Sequence, residues 1–164
     1  MTPAEYTKSV DRWSDDIFRF AMRCCNVREH CEDAVQEAFA TLWERIDKIK
    51  ANEAKSFLFT VTQRRLFDMI RHEKVVQKGC SEMALTQDDI DEPLEQIDLK
   101  EAMNKALQQL PERQRAILQL HDVEGYRYEE IATIMNMNYK QVQVDTFRAK
   151  VKMKQLLKSY GIER

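Results

Sequence analysis

Apolar residues recur at steps of three, four and one through the first part of the chain. Tyr6, Val10, Trp13, Ile17, Phe20 and Ala21 fall on one face of an amphipathic helix. The pattern breaks from Asn26 to His30. It resumes with Val35, Ala38, Phe39, Leu42, Trp43, Ile46 and Ile49, which predict a second helix over about residues 31–50, with Asp33, Gln36, Glu37 and Glu44 on its opposite face. A third helix is expected from about Glu53 to Gln77. It opens apolar (Phe57, Leu58, Phe59, Val61) and turns basic, with Arg64, Arg65, Arg71, Lys74 and Lys78 against Asp68 and Glu73.

A second helical block follows. Leu99, Met103, Ala106, Leu107 and Leu110 share one face, and Pro111 then punctuates the chain where a new helix can start. Ile117, Leu118, Leu120 and Val123 give the next helix, and Gly125 stands where a left-handed cap is wanted. The segment YEEIATIMN, residues 128–136, is short, with Ile131, Ala132 and Met135 facing inward. Asn136 sits at the tight turn, since asparagine is the best substitute for glycine at positive φ. Met137 can plug the core, and Asn138 is a good N-cap for a last helix with Val142, Thr146, Ala149, Met153 and Leu156 on one face.

Composition narrows the fold class to all-α. Among 164 residues there are only 3 Gly and 3 Pro, against average usage of about 7% and 5%. Sandwiches and barrels need turn residues far more often. With 43% apolar and 33% charged residues the chain is globular stock. No apolar run approaches the roughly 20 residues that span a bilayer, so no membrane insertion is expected. The opening stretch MTPAEYTKSVDRW has no signal-peptide core, which predicts a cytoplasmic location.

Charge divides the chain where periodicity fails. Residues 1–78 carry 14 Lys/Arg and 13 Asp/Glu, residues 79–98 carry none and 7, and residues 99–164 carry 12 and 8. The stretch GCSEMALTQDDIDEPLEQID is therefore read as an acidic flexible linker between two small helical domains, 1–78 and 99–164.

Candidate chemistry is of the binding kind. Cys24, Cys25, His30 and Cys31 can be read as metal ligands, but there is no CxxC and no second ligand pair. They are taken as small buried hydrophobes, and no metal or cofactor is expected. The histidines (30, 72 and 121) lie far apart, and nucleophile elbow and glycine-rich phosphate loop are both missing, so an enzyme is not expected. On the third helix a basic stripe beside aromatic residues suits a single nucleic-acid strand, with cations on phosphates and rings stacked on bases. The alternative is that Phe57, Phe59 and Phe67 are core and the arginines a solvated face.

The spacing in the second block is that of a helix-turn-helix. A major groove about 12 Å wide admits one helix with its N-terminal residues at base edges. Here those residues are Tyr139, Lys140, Gln141 and Gln143. From Asn138 onward there are seven Lys/Arg and two Asp/Glu, an excess that can hold phosphates. The alternative is a plain helical hairpin with a basic face.

Three stretches, in order, resemble the extracytoplasmic-function (group IV) sigma factors of the sigma-70 family of bacterial RNA polymerase. CEDAVQEAFATLW resembles the family's AEDLVQEVFLRLW, and FLFTVTQRRLFDMIR resembles its WLYRIARNLALDLLR, both in region 2. LPERQRAILQLHDVEGYRYEEIATIMNMNYKQVQVDTFRAK resembles its region 4, and the likeness covers about residues 10–160. The resemblance implies a promoter-specificity subunit that recruits core polymerase and holds melted promoter DNA. Asp33, Gln36, Glu37, Phe39 and Trp43 would face the β′ clamp helices, the two aromatics being core over much of their surface. Phe57, Phe59, Gln63, Arg64, Arg65, Asp68 and Arg71 would hold the −10 element, with Gln63-Arg64 in place of the family's usual Arg-Asn. Arg127, Asn138, Tyr139, Lys140, Gln141, Gln143, Arg148 and Lys150 would serve the −35 element. Asp145 stands where the family often has a basic or amide residue; an acid there accepts from cytosine or repels phosphate. The implied partners are the polymerase core (β′ clamp helices and β flap), promoter DNA and an anti-sigma factor. Outside that family, a stand-alone helix-turn-helix regulator is the first alternative and a protein-binding helical adaptor the second.

Overall fold

Thr2 and Glu5 cap each other ahead of Pro3: the Glu5 amide donates to the Thr2 hydroxyl at 3.2 Å, and the Thr2 amide to the Glu5 carboxylate at 2.8 Å. This capping box starts α1 (Pro3–Cys24). A computed structural model describes residues 1–79 and 98–162. Every regular element among them is helical, and the all-α expectation holds.

α1 buries Ile17, Phe20, Ala21 and Cys24 and ends where Cys25 turns extended. α2 (Arg28–Glu44) begins three residues earlier than its apolar period suggested and stops at Glu44; a turn, not helix, carries Ile46 and Ile49. Its inward residues are small (Cys31, Ala34, Ala38) before Leu42, which lets α3 approach closely. A short turn, Ala51–Glu53, leads into α3 (Ala54–Gly79). Two parallel rows of α3, Ala54–Leu58–Thr62–Leu66 and Phe59–Gln63–Phe67, are buried. Rows spaced by four residues are one helix face, so α3 is covered over a wide arc.

Asp98 caps α4 (Leu99–Gln109) by accepting from the Glu101 amide at 2.8 Å. α5 (Glu112–Leu118) follows Pro111 and widens into a π-turn, Gln119–Val123. The extra residue in that turn rotates the face outward. Val123, expected inside, is consequently 51% exposed. Gly125 takes φ +74° and closes the segment. α6 (Tyr128–Met135) ends on Asn136 at φ +53°, and α7 (Tyr139–Ser159) starts from Asn138, whose side chain accepts from the Lys140 amide at 3.0 Å. The expected linker lies outside the described residues, except for Gly79 and Asp98 at its margins.

The two helical blocks share a core. One cluster runs from Ile17 and Phe20 through Leu58, Phe59 and Leu66 to Ile117, Leu120, Ile131, Ile134 and Val142. Phe20 meets Phe59 edge to face at 5.0 Å, and Phe59 meets Tyr126 at 5.6 Å, so three rings bridge the blocks. A smaller cluster (Ala106, Leu107, Leu110, Leu118, Ala149, Met153) belongs to the second block alone. The buried Arg115 guanidinium fastens the arrangement. It donates to Leu107 O (2.8 Å), Gln108 O (3.0 Å) and Leu110 O (2.9 Å) at the end of α4, and to Cys24 O at the end of α1. Carbonyls at two helix ends thus share one buried cation.

Candidate nucleic-acid interface

The Asn136 turn sets α7 across α6 with its N-terminus in solvent. Asn138, Tyr139, Lys140, Gln141 and Gln143 are all exposed there, and the Gln143 amide donates to the Tyr139 hydroxyl at 3.3 Å. Tyr139 rests edge-on to Tyr128, which stacks on His121. Arg148 is exposed on the same helix, with Val144 and Phe147 between it and the N-terminal cluster; Phe147 is 69% exposed. Arg127 precedes α6 at its cap position without a side-chain capping bond and is exposed. Lys150 stands apart: its Nζ is 4.0 Å from Asp122, toward the π-turn. Asp145 is not on the outward face. It is 3% exposed and its Oδ2 lies 2.9 Å from Arg113 Nε, so this acid is an internal partner to a cation, not a reader of bases.

α3 presents a charged stripe. Arg64, Arg65, Asp68 and Arg71 are exposed, Phe57 is half-buried, and Gln63 is only 3% exposed. Phe59 is fully buried between Phe20 and Tyr126, so the base-stacking role given to it does not hold in this arrangement; it is core. Phe67 is buried as well. Gln63, Arg64, Asp68 and Arg71 line a cleft of about 450 Å³ whose other wall includes Glu112, Arg113, Asn136 and Gln141. The two candidate DNA surfaces therefore border a single cleft, and Lys74 of α3 bridges its rim to Glu112 of α5 at 2.7 Å.

On α2, Asp33, Gln36 and Glu37 form an exposed polar face. Glu37 is held by Arg65 of α3 at 2.8 Å, which ties the acidic face to the basic stripe. Phe39 is half-buried, its carbonyl accepting from the Tyr6 hydroxyl at 3.0 Å. Trp43, expected to be mostly core, is 50% exposed and stands edge-on to Tyr6 at 5.0 Å. It lies near the end of α2 and adds an aromatic to the polar face.

Two family models match, in order. The one described as Sigma-70 region 2 covers residues 10–75, and the one described as Sigma-70, region 4 covers residues 100–153. The extracytoplasmic-function RNA polymerase sigma factor SigM of Bacillus subtilis is 27% identical over 146 residues, 88% of this chain and 90% of that protein. The chain belongs to the extracytoplasmic-function sigma factors. SigE of Mycolicibacterium smegmatis is 24% identical over 164 residues, spanning 94% of this chain and 62% of that one. Among solved structures, the sigma factor RpoE of Bartonella quintana, in complex with the anti-sigma factor NepR, superimposes with a TM-score of 0.73 at 22% identity, covering 93% of this chain and 96% of that one. CnrH in complex with the cytosolic domain of CnrY gives a TM-score of 0.68 at 18% identity, covering 94% and 88%.

In this sigma factor one surface had only Lys150 among the residues assigned from sequence, and that for DNA. Leu99, Met103, Leu118, Met153, Leu157 and Ile162 line an apolar groove of about 400 Å³ between α4 and α7. Leu99 and Met103 were read as core-facing. They are 46% and 39% exposed because α4 buries its small residues, Ala102 and Ala106, instead. A signal was present: two large apolar residues four apart, on a helix whose alanines already supply a packing face.

Proposed function

We propose that the chain directs core RNA polymerase to promoters through four surfaces. The polar face of α2, with Asp33, Gln36, Glu37 and half-exposed Trp43, docks on the β′ clamp helices; acids and an aromatic suit a basic helical partner. The α3 stripe of Arg64, Arg65 and Arg71, with Asp68, holds the backbone of the opened −10 strand, and Gln63 reaches it once the cleft widens. The α7 N-terminus, Asn138 to Gln143, enters the −35 major groove, with Arg148 and Arg127 on flanking phosphates. The apolar groove between α4 and α7 receives the β flap. Lys150 borders that groove and serves the flap contact ahead of DNA. Residues 1–78 and 99–164 are the two functional domains and 79–98 their acidic tether.

The role is binding, not catalysis, and its place is the cytoplasm, where polymerase works. No described helix is long and apolar enough to cross a membrane. An anti-sigma factor is the expected regulator, one that covers these surfaces until released.

The observation that carries this reading is the ordered pair of sigma-70 regions across two helical blocks that present an acidic face, a basic stripe and an open helix-turn-helix. The test is transcription in vitro on genomic fragments, with core polymerase and the purified chain. Defined starts that need both components are expected, and duplex binding by the chain alone is expected to be weak. Occupancy of operator duplex without polymerase, together with no directed start, would favour a stand-alone regulator. Asp33→Ala with Glu37→Ala is expected to cut capture of core enzyme about tenfold, at roughly 1.4 kcal/mol, with the helical circular dichroism unchanged. Undiminished capture would remove α2 from the polymerase contact.

A further inference from the structure

The corner between α1 and α2 concentrates thiols that none of these surfaces uses. Cys24 and Cys25 close α1, and Cys31 lies in the first turns of α2. The Cys31 thiol donates to the Cys25 carbonyl oxygen at 3.2 Å, which brings two cysteines six residues apart together in one buried corner. His30 stands beside them, with its Nε2 bonded to the Glu73 carboxylate of α3.

The three thiols have different surroundings. Cys25 is 5% exposed, and its ionised form is favoured by hydrogen bonds from the Cys31 thiol and the Val27 amide and by the nearby His30. Burial and the Glu73 charge oppose this but do not outweigh it. Cys31, which gives the hydrogen bond and is fully buried, is pushed up. Burial also pushes Cys24 up, to about 12, so it is inert. A thiol whose ionised form is favoured, with a second cysteine held against its backbone, is the arrangement of an attacking and a resolving cysteine. Among the described residues no group of three or more His, Cys, Asp or Glu side chains is placed to hold a metal.

We propose that Cys25 and Cys31 are an oxidisable pair that hydroperoxides close to a disulfide at the joint between the two helical blocks. The Cys25 thiolate attacks one oxygen of hydrogen peroxide and the O–O bond breaks. The leaving hydroxide takes a proton and departs as water, leaving a sulfenic acid. The Cys31 sulfur then attacks that sulfur, the S–S bond forms, and a second water leaves with the Cys31 proton. Two thiols are oxidised and one peroxide is reduced to two waters.

The joint matters because the second block is fastened there. Arg115 is seated on the Cys24 carbonyl, and the Gln108 side chain donates to the Arg23 carbonyl at 3.1 Å. Closing the bond removes the Cys31 contact to the Cys25 carbonyl and shifts the adjoining peptide. Arg115 then loses its acceptor on α1, and the blocks loosen.

The experiment treats the reduced full chain with hydrogen peroxide in the presence of free glutathione as an internal competitor. Trypsin cleaves after Arg28 and so separates Cys24 and Cys25 from Cys31. Expected is a cross-link between those two peptides that forms before the glutathione is consumed. It should persist in Cys24→Ser and be lost in Cys25→Ser. In Cys31→Ser a dimedone adduct should appear on Cys25. Amides of residues 107–110 should exchange hydrogen about tenfold faster after oxidation, but not in Cys25→Ser treated alike. Complete glutathione oxidation without the cross-link, or a cross-link that depends on Cys24, would overturn the pair. A cross-link with unchanged exchange would overturn its coupling to the joint. Should a variant fail to fold, the cross-link and exchange in the natural sequence still decide.

Discussion

In α3 the aromatic rings are inside and the cations outside: Phe59 is fully buried, Phe67 nearly so, while Arg64, Arg65 and Arg71 face solvent. In α7 the cations are outside too, but so is the ring, with Phe147 69% exposed, while the acid Asp145 is buried against Arg113. Both are long helices with cations, yet their neighbours differ. α3 is wedged between α1 and α2 on one side and α6 on the other, whereas α7 lies along α4, α5 and α6 and leaves its outer face open. A helix covered over a wide arc offers only charge, which holds phosphates without reading bases. A helix covered on one side can present hydrogen-bonding and apolar groups together, which base readout needs. On the proposed function, this packing makes α7 the reader of DNA and leaves α3 only to grip it.

The sharpest way to break that contrast is to delete a ring from each helix. Phe59→Ala should cost about 3–5 kcal/mol of stability, as other large-to-small changes in a core do. Phe147→Ala should stay within about 0.5 kcal/mol, as exposed positions do. Urea unfolding of both variants measures this. A Phe59 variant as stable as the natural chain would mean that the ring is not shared between the blocks.

Next in size is the cation that fastens the blocks. Hydrogen bonds from a charged donor are worth roughly 1.5–3 kcal/mol each, and Arg115 makes four to carbonyls. Arg115→Met keeps most of the apolar stem and should still lose about 3 kcal/mol or more, with a steeper loss of protection at Cys24–Cys25 than within α7. A uniform loss across the chain would argue that Arg115 supports only its own block.

These two residues also mark how far the sequence could be read. Helix ends marked by a cap or a left-handed turn were legible, because each is a local steric event: Asn136 at positive φ and Asn138 as N-cap both follow from residue type and position, whereas both ends of α2, which lack such a mark, were misplaced. The π-turn at Gln119–Val123 has no local signature and moved Val123 outside. What was illegible is pairing at a distance. Asp145 on α7 looks like a surface acid until Arg113 on α5 is brought beneath it. Phe59 looks equally fit for a base or a core until Tyr126, from the other block, closes over it. The groove between α4 and α7 was hidden for the same reason, since its two walls come from opposite ends of the second block.

On DNA the contrast predicts two kinds of loss. Arg148→Ala should weaken transcription from −35-dependent promoters by about 1–3 kcal/mol, selectively among promoter sequences. Arg71→Ala should weaken all promoters by a similar factor and reduce the salt dependence by roughly one counterion. Comparing variants on a set of promoters that differ only in the −35 element separates the two. Promoter-dependent loss in Arg71→Ala would show that α3 reads bases after all, and hence that the cleft opens when polymerase is bound.

The smallest effect is one of pH, and it tests whether the end of α3 is held to α2 as α7 is not held to anything outside. The Glu73 carboxylate, chiefly through its hydrogen bond, raises the pKa of His30 above the ordinary histidine value. The folded state therefore binds this proton more tightly than the unfolded chain does. The stabilisation is complete below the unfolded value near 6.5 and fades as pH rises through the higher folded value. Because the Glu73 carboxylate is about half exposed to solvent, the pair should contribute about 0.2–1 kcal/mol. Unfolding free energies measured from pH 5.5 to 8.5 in Cys25→Ser, where the neighbouring thiolate no longer titrates, should fall with pH by that amount, and His30→Gln should flatten the slope. An unchanged slope would mean that Glu73 does not hold His30 in solution, and that the α1–α2 corner is tied to the second block alone.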